Sequence, residues 1–463
     1  MRRLLLSVLL GAMTVSVCAT ITRAETLTLD DCIELALKNR VSIIQARGDE
    51  RIAKWDQAWA LGQFLPNMSA SYNYSKGRET NIDPANVVVT AYDSTITTTV
   101  IGSDTAKDVV RFPTQKTYNT SQDIGPNKSW NFSASMDVVD LTNWFNYFGA
   151  RQSRAKAHLD VINSEQDLIY SVKLSYYAYL AAVENVDVQK QAVQRSEEQL
   201  KLINSRFELG SASKSDVLKQ KVQVGNDELA LLEAQNSVVT SKATLAYTIG
   251  IDPNREDVEF STEYTTREFD GTLDDAMKFG LSKKPGLLSA EKDLAAAKHA
   301  LRSRWASYLP TLSASYSYTR SIGTVAYPVV ESYSSNRGTY GFRINFNIFD
   351  GFSRERSLVT AKVNRNNAAA YLAETKNLVT SDIKSAYYEI TQYRESKRVA
   401  NENVESATED LKITQEKYNL GAATILDLLN SQVSLKRTQV SLIQADFDLN
   451  LSIAKLENAM GKM

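Results

Sequence analysis

The feature that most constrains this chain is that it is written twice. Leu65-Pro66-Asn67-Met68-Ser69-Ala70-Ser71-Tyr72-Asn73-Tyr74 returns as Leu309-Pro310-Thr311-Leu312-Ser313-Ala314-Ser315-Tyr316-Ser317-Tyr318. The correspondence extends backward without a gap to Thr28-Leu29-Asp30-Asp31 and Thr272-Leu273-Asp274-Asp275. Threonine followed by acidic residues is a helix-start signal, and each opens a helix-like segment of about 35 residues. Further on, Phe207-Glu208-Leu209-Gly210 with Asp216-Val217-Leu218 matches Tyr418-Asn419-Leu420-Gly421 with Asp427-Leu428-Leu429, and the copies end at Gly250 and Gly461. Two copies with so long a period do not make a solenoid. The expected organisation is a signal over 1–24, a first repeat over 25–250, a linker over 251–271 and a second repeat over 272–463. Each repeat runs helix, strand, loop, strand, long helix, turn, helix.

Arg2 and Arg3 precede an apolar run from Leu4 to about Val17, and Thr22-Arg23-Ala24 supplies a small-residue cleavage site, so a secretory signal is expected. Cys18 after Val15-Ser16-Val17 loosely resembles a lipoprotein box, but Val is a poor residue directly before the cut. After cleavage only Cys32 remains, so no intrachain disulfide can form. The 53 Lys and Arg nearly balance the 54 Asp and Glu, and no basic cluster interleaved with aromatics appears, which excludes a nucleic-acid partner. Beyond the signal no apolar run reaches 18 residues. A chain of this kind enters a membrane only as a barrel.

Strict alternation is clearest where Tyr340, Phe342, Ile344, Phe346 and Ile348 face one way and Gly341, Arg343, Asn345 and Asn347 the other. The first copy repeats it with Trp130, Phe132, Ala134, Met136 and Val138 against Asn131, Ser133, Ser135 and Asp137. The leading strands add Met68, Ala70, Tyr72 and Tyr74, then Leu312, Ala314, Tyr316 and Tyr318. Segments of about ten residues with an aromatic face and a small polar face have the pattern of barrel strands, although a soluble sheet covered by helices is written similarly. Four strands cannot close a barrel. Two protomers would give eight strands around a filled interior, and three would give twelve around a channel. Between the strands the first copy carries about 55 residues, Ser75 to Ser129, rich in Thr, Ser, Asn and Asp, which suits an exposed loop.

From Asn143 to about Phe207 the only helix breaker is Gly149, so a helix of about 65 residues, roughly 100 Å, is expected. Val172, Tyr179, Val186, Val193, Leu200 and Phe207 recur every seventh residue, with Ile162, Ile169, Tyr176 and Val183 as a second seam. The second copy keeps Ile383, Ile390, Val404, Leu411 and Tyr418, interrupted by Lys397. Ser213 with Asp216, and Thr424 with Asp427, read as capping boxes that start shorter return helices. Asp140 and Asp350 read as caps of the long helices, and His158 and His299 as surface helix positions. No catalytic constellation, metal-ligand spacing, phosphate loop or dinucleotide fingerprint is present, so the chain reads as neither enzyme nor cofactor protein.

Together these residues resemble the TolC family of outer-membrane efflux and secretion ducts over nearly the whole mature chain. The specific parts are the duplicated aromatic-x-x-Gly turns followed by Asp-x-Leu, the Leu-Pro strand entries, and the junctions Val138-Val139-Asp140 and Asn347-Ile348-Phe349-Asp350-Gly351. Asp137 and Asn347 stand where the family often has proline. The resemblance implies a mainly α fold with a transmembrane β-barrel: four strands per protomer, a homotrimer with a twelve-strand barrel, and an antiparallel coiled-coil tunnel in the periplasm. It implies a passive exit duct in outer-membrane lipid, docked to a periplasmic adaptor (membrane fusion) protein and an inner-membrane RND or ABC pump. Tyr418, Asp427, Asn430 and Asp216 fall at the gate, and Leu209, Gly210, Leu420 and Gly421 at the tip turns that meet the adaptor. Asn430 replaces a second acidic residue of some members and Ala423 a gating arginine, which leaves Asp427 as the acidic ring. Helix capping alone also accounts for Asp216 and Asp427. A structural periplasm-spanning or adhesive coiled coil is the alternative function, and it gives the alternating strands no purpose.

Overall fold

The computed structural model describes residues 25–81, 87–101, 104–117, 120–255, 258–264, 268–325 and 331–462. The expected signal, with Cys18, lies outside them. The element order is β1 (Glu25–Leu27), α1 (Leu29–Asn39), α2 (Val41–Gly62), β2 (Asn67–Asn81), β3 (Val87–Ile101), β4 (Asp104–Thr117), β5 (Thr120–Val139), α3 (Leu141–Glu208), α4 (Lys214–Ile249), β6 (Val258–Phe260), α5 (Leu273–Lys283), α6 (Pro285–Ala306), β7 (Thr311–Val325), β8 (Glu331–Asn345), α7 (Ser353–Asn419) and α8 (Ile425–Met460). They form two units: one is the chain up to Lys54, Gln152–Ala296 and the chain from Arg365 on; the other is Trp55–Arg151 and Ala297–Asn364.

The helical unit is built around two cores. Cys32, Ala36, Ile43, Leu168, Val172, Tyr176, Leu245 and Ile249 form one. Ala276, Leu287, Val379, Ile383, Leu456 and Met460 form the other, in the same relative positions. The segment expected as one helix of about 35 residues is two helices in each half. Proline at the first position of α6 forces Lys284 out of the helical region (φ −59°, ψ 117°), and Arg40 adopts the same extended turn (φ −69°, ψ 129°) before Val41. The freed side chains clamp the ends of the return helices: Arg40 Nη1 donates to Tyr247 O at 3.1 Å, and Lys284 Nζ to Asn458 O at 2.8 Å. Gly250 and Gly461 end those helices at φ +77° and +75°, and an added Cβ would meet Asn39 Cβ at 3.0 Å or Lys284 Cα at 2.9 Å. Glycine is therefore required there twice over.

Within this unit polar contacts join the helices in pairs. α3 meets α2 through Arg47 and Glu165 at 2.9 Å, and α4 through Gln220 Nε2, which donates to Ser196 O at 2.9 Å. It also meets α6 through Ser289 and Asp160, and α8 through Lys173 and Glu457 at 2.8 Å. α8 in turn meets α7 through Lys455 and Glu389 at 2.6 Å and through Lys397 and Asp446. The lysine that interrupts the second heptad thus has an ionic partner. Asp227 on α4, 3% exposed, joins Lys436 on α8 at 2.7 Å. The linker is not featureless: β6 pairs in parallel with β1, Tyr176 Oη donates to Ser261 O at 2.7 Å, and Tyr264 Oη to Asp446 Oδ2 at 2.6 Å. Tyr176, on the second seam, is buried as expected and Tyr177 is buried beside it; Tyr388 on α7 is 63% exposed.

In the second unit four strands form one antiparallel sheet in the order β2-β5-β7-β8. Here the structure corrects the sequence reading. The described residues of the Ser75–Ser129 stretch are strands: β2 and β5 continue through it, pairing Gly77 with Ile124 and Asn81 with Thr120, and β3 and β4 pair antiparallel with each other. Backbone pairing satisfies peptide groups whatever the side chains, so Thr and Ser runs with few apolar anchors extend as strands. A register shift between Asp137 and Val139 puts Val139, not Val138, opposite Leu312. The ladder ends at Asn345, leaving Phe346 and Ile348 beyond it. Asp140 caps α3 by accepting from Thr142 N at 2.7 Å, and Asp350, across Gly351 and Phe352, both at φ +67°, accepts from Arg354 N in the first turn of α7 at 3.4 Å while pairing with Arg354 Nε at 3.2 Å. His299 is half-buried against Phe148, with ring centroids 5.7 Å apart, rather than a plain surface residue.

Candidate functional site

Two features of the structure can carry function: the hairpin tip of the helical unit and the two faces of the sheet. At the tip α3 and α7 each end on a left-handed glycine, Gly210 at φ +76° and Gly421 at φ +75°. Ser211 N donates to Arg206 O and Ala422 N to Lys417 O, each at 2.8 Å, closing the orphan carbonyls of both helices. Both capping boxes form. Ser213 N and Oγ donate to Asp216 Oδ2 at 3.2 and 2.8 Å, and Thr424 N and Oγ1 to Asp427 Oδ2 at 2.8 and 2.6 Å. The Thr424 hydroxyl, then its backbone N–H, hold the Asp427 carboxyl below the usual carboxylate range, so in the single chain it stays ionised. Below the turns Ile203 and Leu428, fully buried, with Val217 and Ile425, make a small core shared by both hairpins.

A cavity of about 800 Å³ opens between the hairpins, lined by Arg206, Asp216, Lys219, Tyr418 and Ala423. It gathers Asp216 and Tyr418 with Leu420 and Gly421; Asp427 and Asn430 are exposed outside it, and Leu209 and Gly210 do not line it. Burial, then the Asp216 charge, raise the Tyr418 hydroxyl above its ordinary pKa, against the pull of Arg206. Arg206 was not singled out in the sequence. It lies 5.3 Å over the Tyr418 ring, and Nη2 donates to Asn419 Oδ1 at 2.9 Å and Nη1 to Tyr418 O at 3.4 Å. One guanidinium on α3 thus holds the last turn of α7, where a cation also suits the helix dipole. The available signal was a cation at matching places in both copies, Arg206 and Lys417. Leu209 and Leu420, 83% and 84% exposed, cap the two turns with bare apolar side chains.

The sheet register separates two faces. Met68, Ala134, Tyr316 and Tyr340 form one cross-strand row; Ala70, Phe132, Tyr318 and Gly338 the next; in a third, Tyr72 and Trp130, with tilted rings 4.6 Å apart, continue into Arg320 and Asn336. The opposite face carries Ser69, Ser133, Ser317 and Thr339 in one row and Ser71, Asn131, Thr319 and Arg337 in another. All four strands therefore turn their apolar sets the same way. Among the described residues no group of His, Cys, Asp and Glu could hold a metal, and no helix is long and apolar enough to cross a membrane.

Comparison with known proteins agrees with this geometry. The sequence matches the family described as outer membrane efflux protein over residues 32–250 and 280–462. It is 22% identical over 437 residues to the outer membrane efflux protein BepC of Brucella suis biovar 1, covering 94% of this chain and 86% of that protein. It is 24% identical over 367 residues to the outer membrane protein TolC of Vibrio cholerae serotype O1, covering 75% of this chain and 80% of that one. Its fold resembles that of the outer membrane protein VceC of Vibrio cholerae, with a TM-score of 0.75 at 17% identity over 94% of this chain and 96% of the other.

Proposed function

The chain belongs to the outer membrane efflux protein family, and from that premise we propose that it is the outer-membrane channel-tunnel of a tripartite efflux pump or a type I secretion system, a passive exit duct gated at its periplasmic tip. The observation that carries this reading is the open sheet: four strands, greasy on one face and hydroxylated on the other, with β2 and β8 as edges. Such a sheet cannot close by itself, and its apolar face needs lipid. The helices present the same problem. On α4, Leu218, Val222, Leu229, Leu232 and Val239 form a seam 53% to 66% exposed, and on α7, Tyr371, Leu378 and Tyr388 form another at 58% to 63%.

One copy's exposed α4 seam meets the next copy's exposed α7 seam, a head-to-tail contact that closes into a ring. Three copies give twelve strands and a water-filled bore. The matched cores and clamps support two duplicated repeats, 25–250 and 272–463, with 251–271 as a belt. Residues 1–24 act as the signal.

The exposed tip leucines suit docking of a periplasmic adaptor, which links the duct to an RND or ABC pump supplying the energy; the chain itself performs no catalysis. Arg206 clasps the two hairpins in the closed state, and three Asp427 carboxylates form the ring at the entrance. The test is deletion of the gene followed by measurement of dye retention and of sensitivity to detergents, metals and antibiotics. Increased retention, reversed by the intact gene, is expected; unchanged export of every dye and protein cargo contradicts the proposal.

A further inference from the structure

We propose that Arg337 forms a cationic collar inside the assembled barrel that binds oxyanion groups, carboxylate, phosphate or sulfonate, of solutes leaving the duct. The inference rests on the three-chain duct reading above. Five successive rows of the polar face run from Asn73-Ser129-Ser321-Ser335 to Asp137-Ser313-Arg343. In these rows every residue is Ser, Thr, Asn or Gly except Asp137, Arg343 and Arg337. Asp137 and Arg343 share one row and line one cavity of about 540 Å³, so at that level the charges of each chain balance.

Arg337 has no such counter-charge. Its row neighbours are Ser71, Asn131 and Thr319, and Thr319 Oγ1 donates to Asn131 Oδ1 at 3.0 Å rather than engaging the guanidinium. Among the described residues no hydrogen bond or ion pair holds Arg337. It sits six residues from Arg343 along β8, about 20 Å at 3.3 Å per residue. Twelve strands about 4.8 Å apart and tilted about 45° close on a circle of roughly 13 Å radius. A Debye length of about 10 Å at 0.1 M salt spans most of that radius, so three guanidiniums act on the whole bore. Their forked donors match oxyanions, which a ring of hydroxyls alone would not retain.

The experiment uses trimers of the full mature chain in planar bilayers at 0.1 M KCl, with inorganic tripolyphosphate added on the barrel side. Wild-type current should be blocked, and Arg337→Gln should raise the half-blocking concentration by roughly threefold or more. Arg343→Gln should change it less, Arg337→Lys should retain block, and 1 M KCl should abolish it, since screening then acts within about 3 Å. Equal block of wild type and Arg337→Gln, or an equal loss with Arg343→Gln, overturns the collar. Assembled trimers that conduct no current even when the tip clasp is released by Arg206→Gln overturn the duct reading, and the collar with it.

Discussion

Gly280 and Ile383 pack against each other where the other half of the chain has Ala36 and Val172, and the exchange conserves volume. A Cβ on Gly280 would overlap Ile383 Cδ1, an atom that Val172 lacks. Gly280→Ala alone should therefore destabilise the protein by about 1–3 kcal/mol through overpacking. Adding Ile383→Val should restore most of the loss, because the double variant reproduces the other core; thermal denaturation followed by circular dichroism measures both. Glu184 gives a pH test in the same unit. Burial, then the charge of Asp446, raise its carboxyl above the ordinary value, the Tyr264 bond lowers it in part, and Asp187 adds to the rise, while Lys397 pairs with Asp446. A raised folded value favours the protonated side chain, so its contribution to stability is full in acid and is lost as pH rises through that value. Glu184→Gln should match wild type in acid and exceed it at neutral pH. A melting profile parallel to wild type at every pH contradicts this assignment.

At the scale of elements, the tip hairpins are where packing meets gating. Arg206→Gln removes the ring contact and the bond to Asn419 but leaves Ile203 and Leu428 packed, so it should increase single-channel conductance without unfolding the trimer. In the same recordings Asp427→Asn should reduce cation selectivity while preserving the helix start, because Asn caps nearly as well as Asp. Unchanged selectivity would leave Asp427 as a cap alone. The long helices, their turns and both capping boxes were legible in the sequence because heptads, glycine and Ser/Thr-x-x-Asp act locally. The strand alternation was legible for the same reason. The break at Arg40 was not, since Val41 gives no signal comparable to Pro285. The extended ladder through Gly77 and Ile124 was not, because it depends on pairing between segments distant in sequence. Nor was Arg206, whose role exists only where α3 meets α7.

For the whole molecule, the largest unpartnered surfaces of the described residues decide the account. Two sheet edges, an aromatic sheet face and two helix seams lack partners in one copy, and the closed ring in a lipid layer proposed above would supply all of them. Twelve strands also give the polar face a bore to line, which the Ser, Thr and Asn rows fit and a filled eight-strand interior does not. Whether copies assemble is therefore the question on which the duct, the gate and the collar all depend. Native mass spectrometry of the folded protein extracted from outer membranes in mild detergent tests it most directly. Three times the mass of one mature chain is the result expected; monomers that remain fully helical at concentrations where the fold is intact would contradict it.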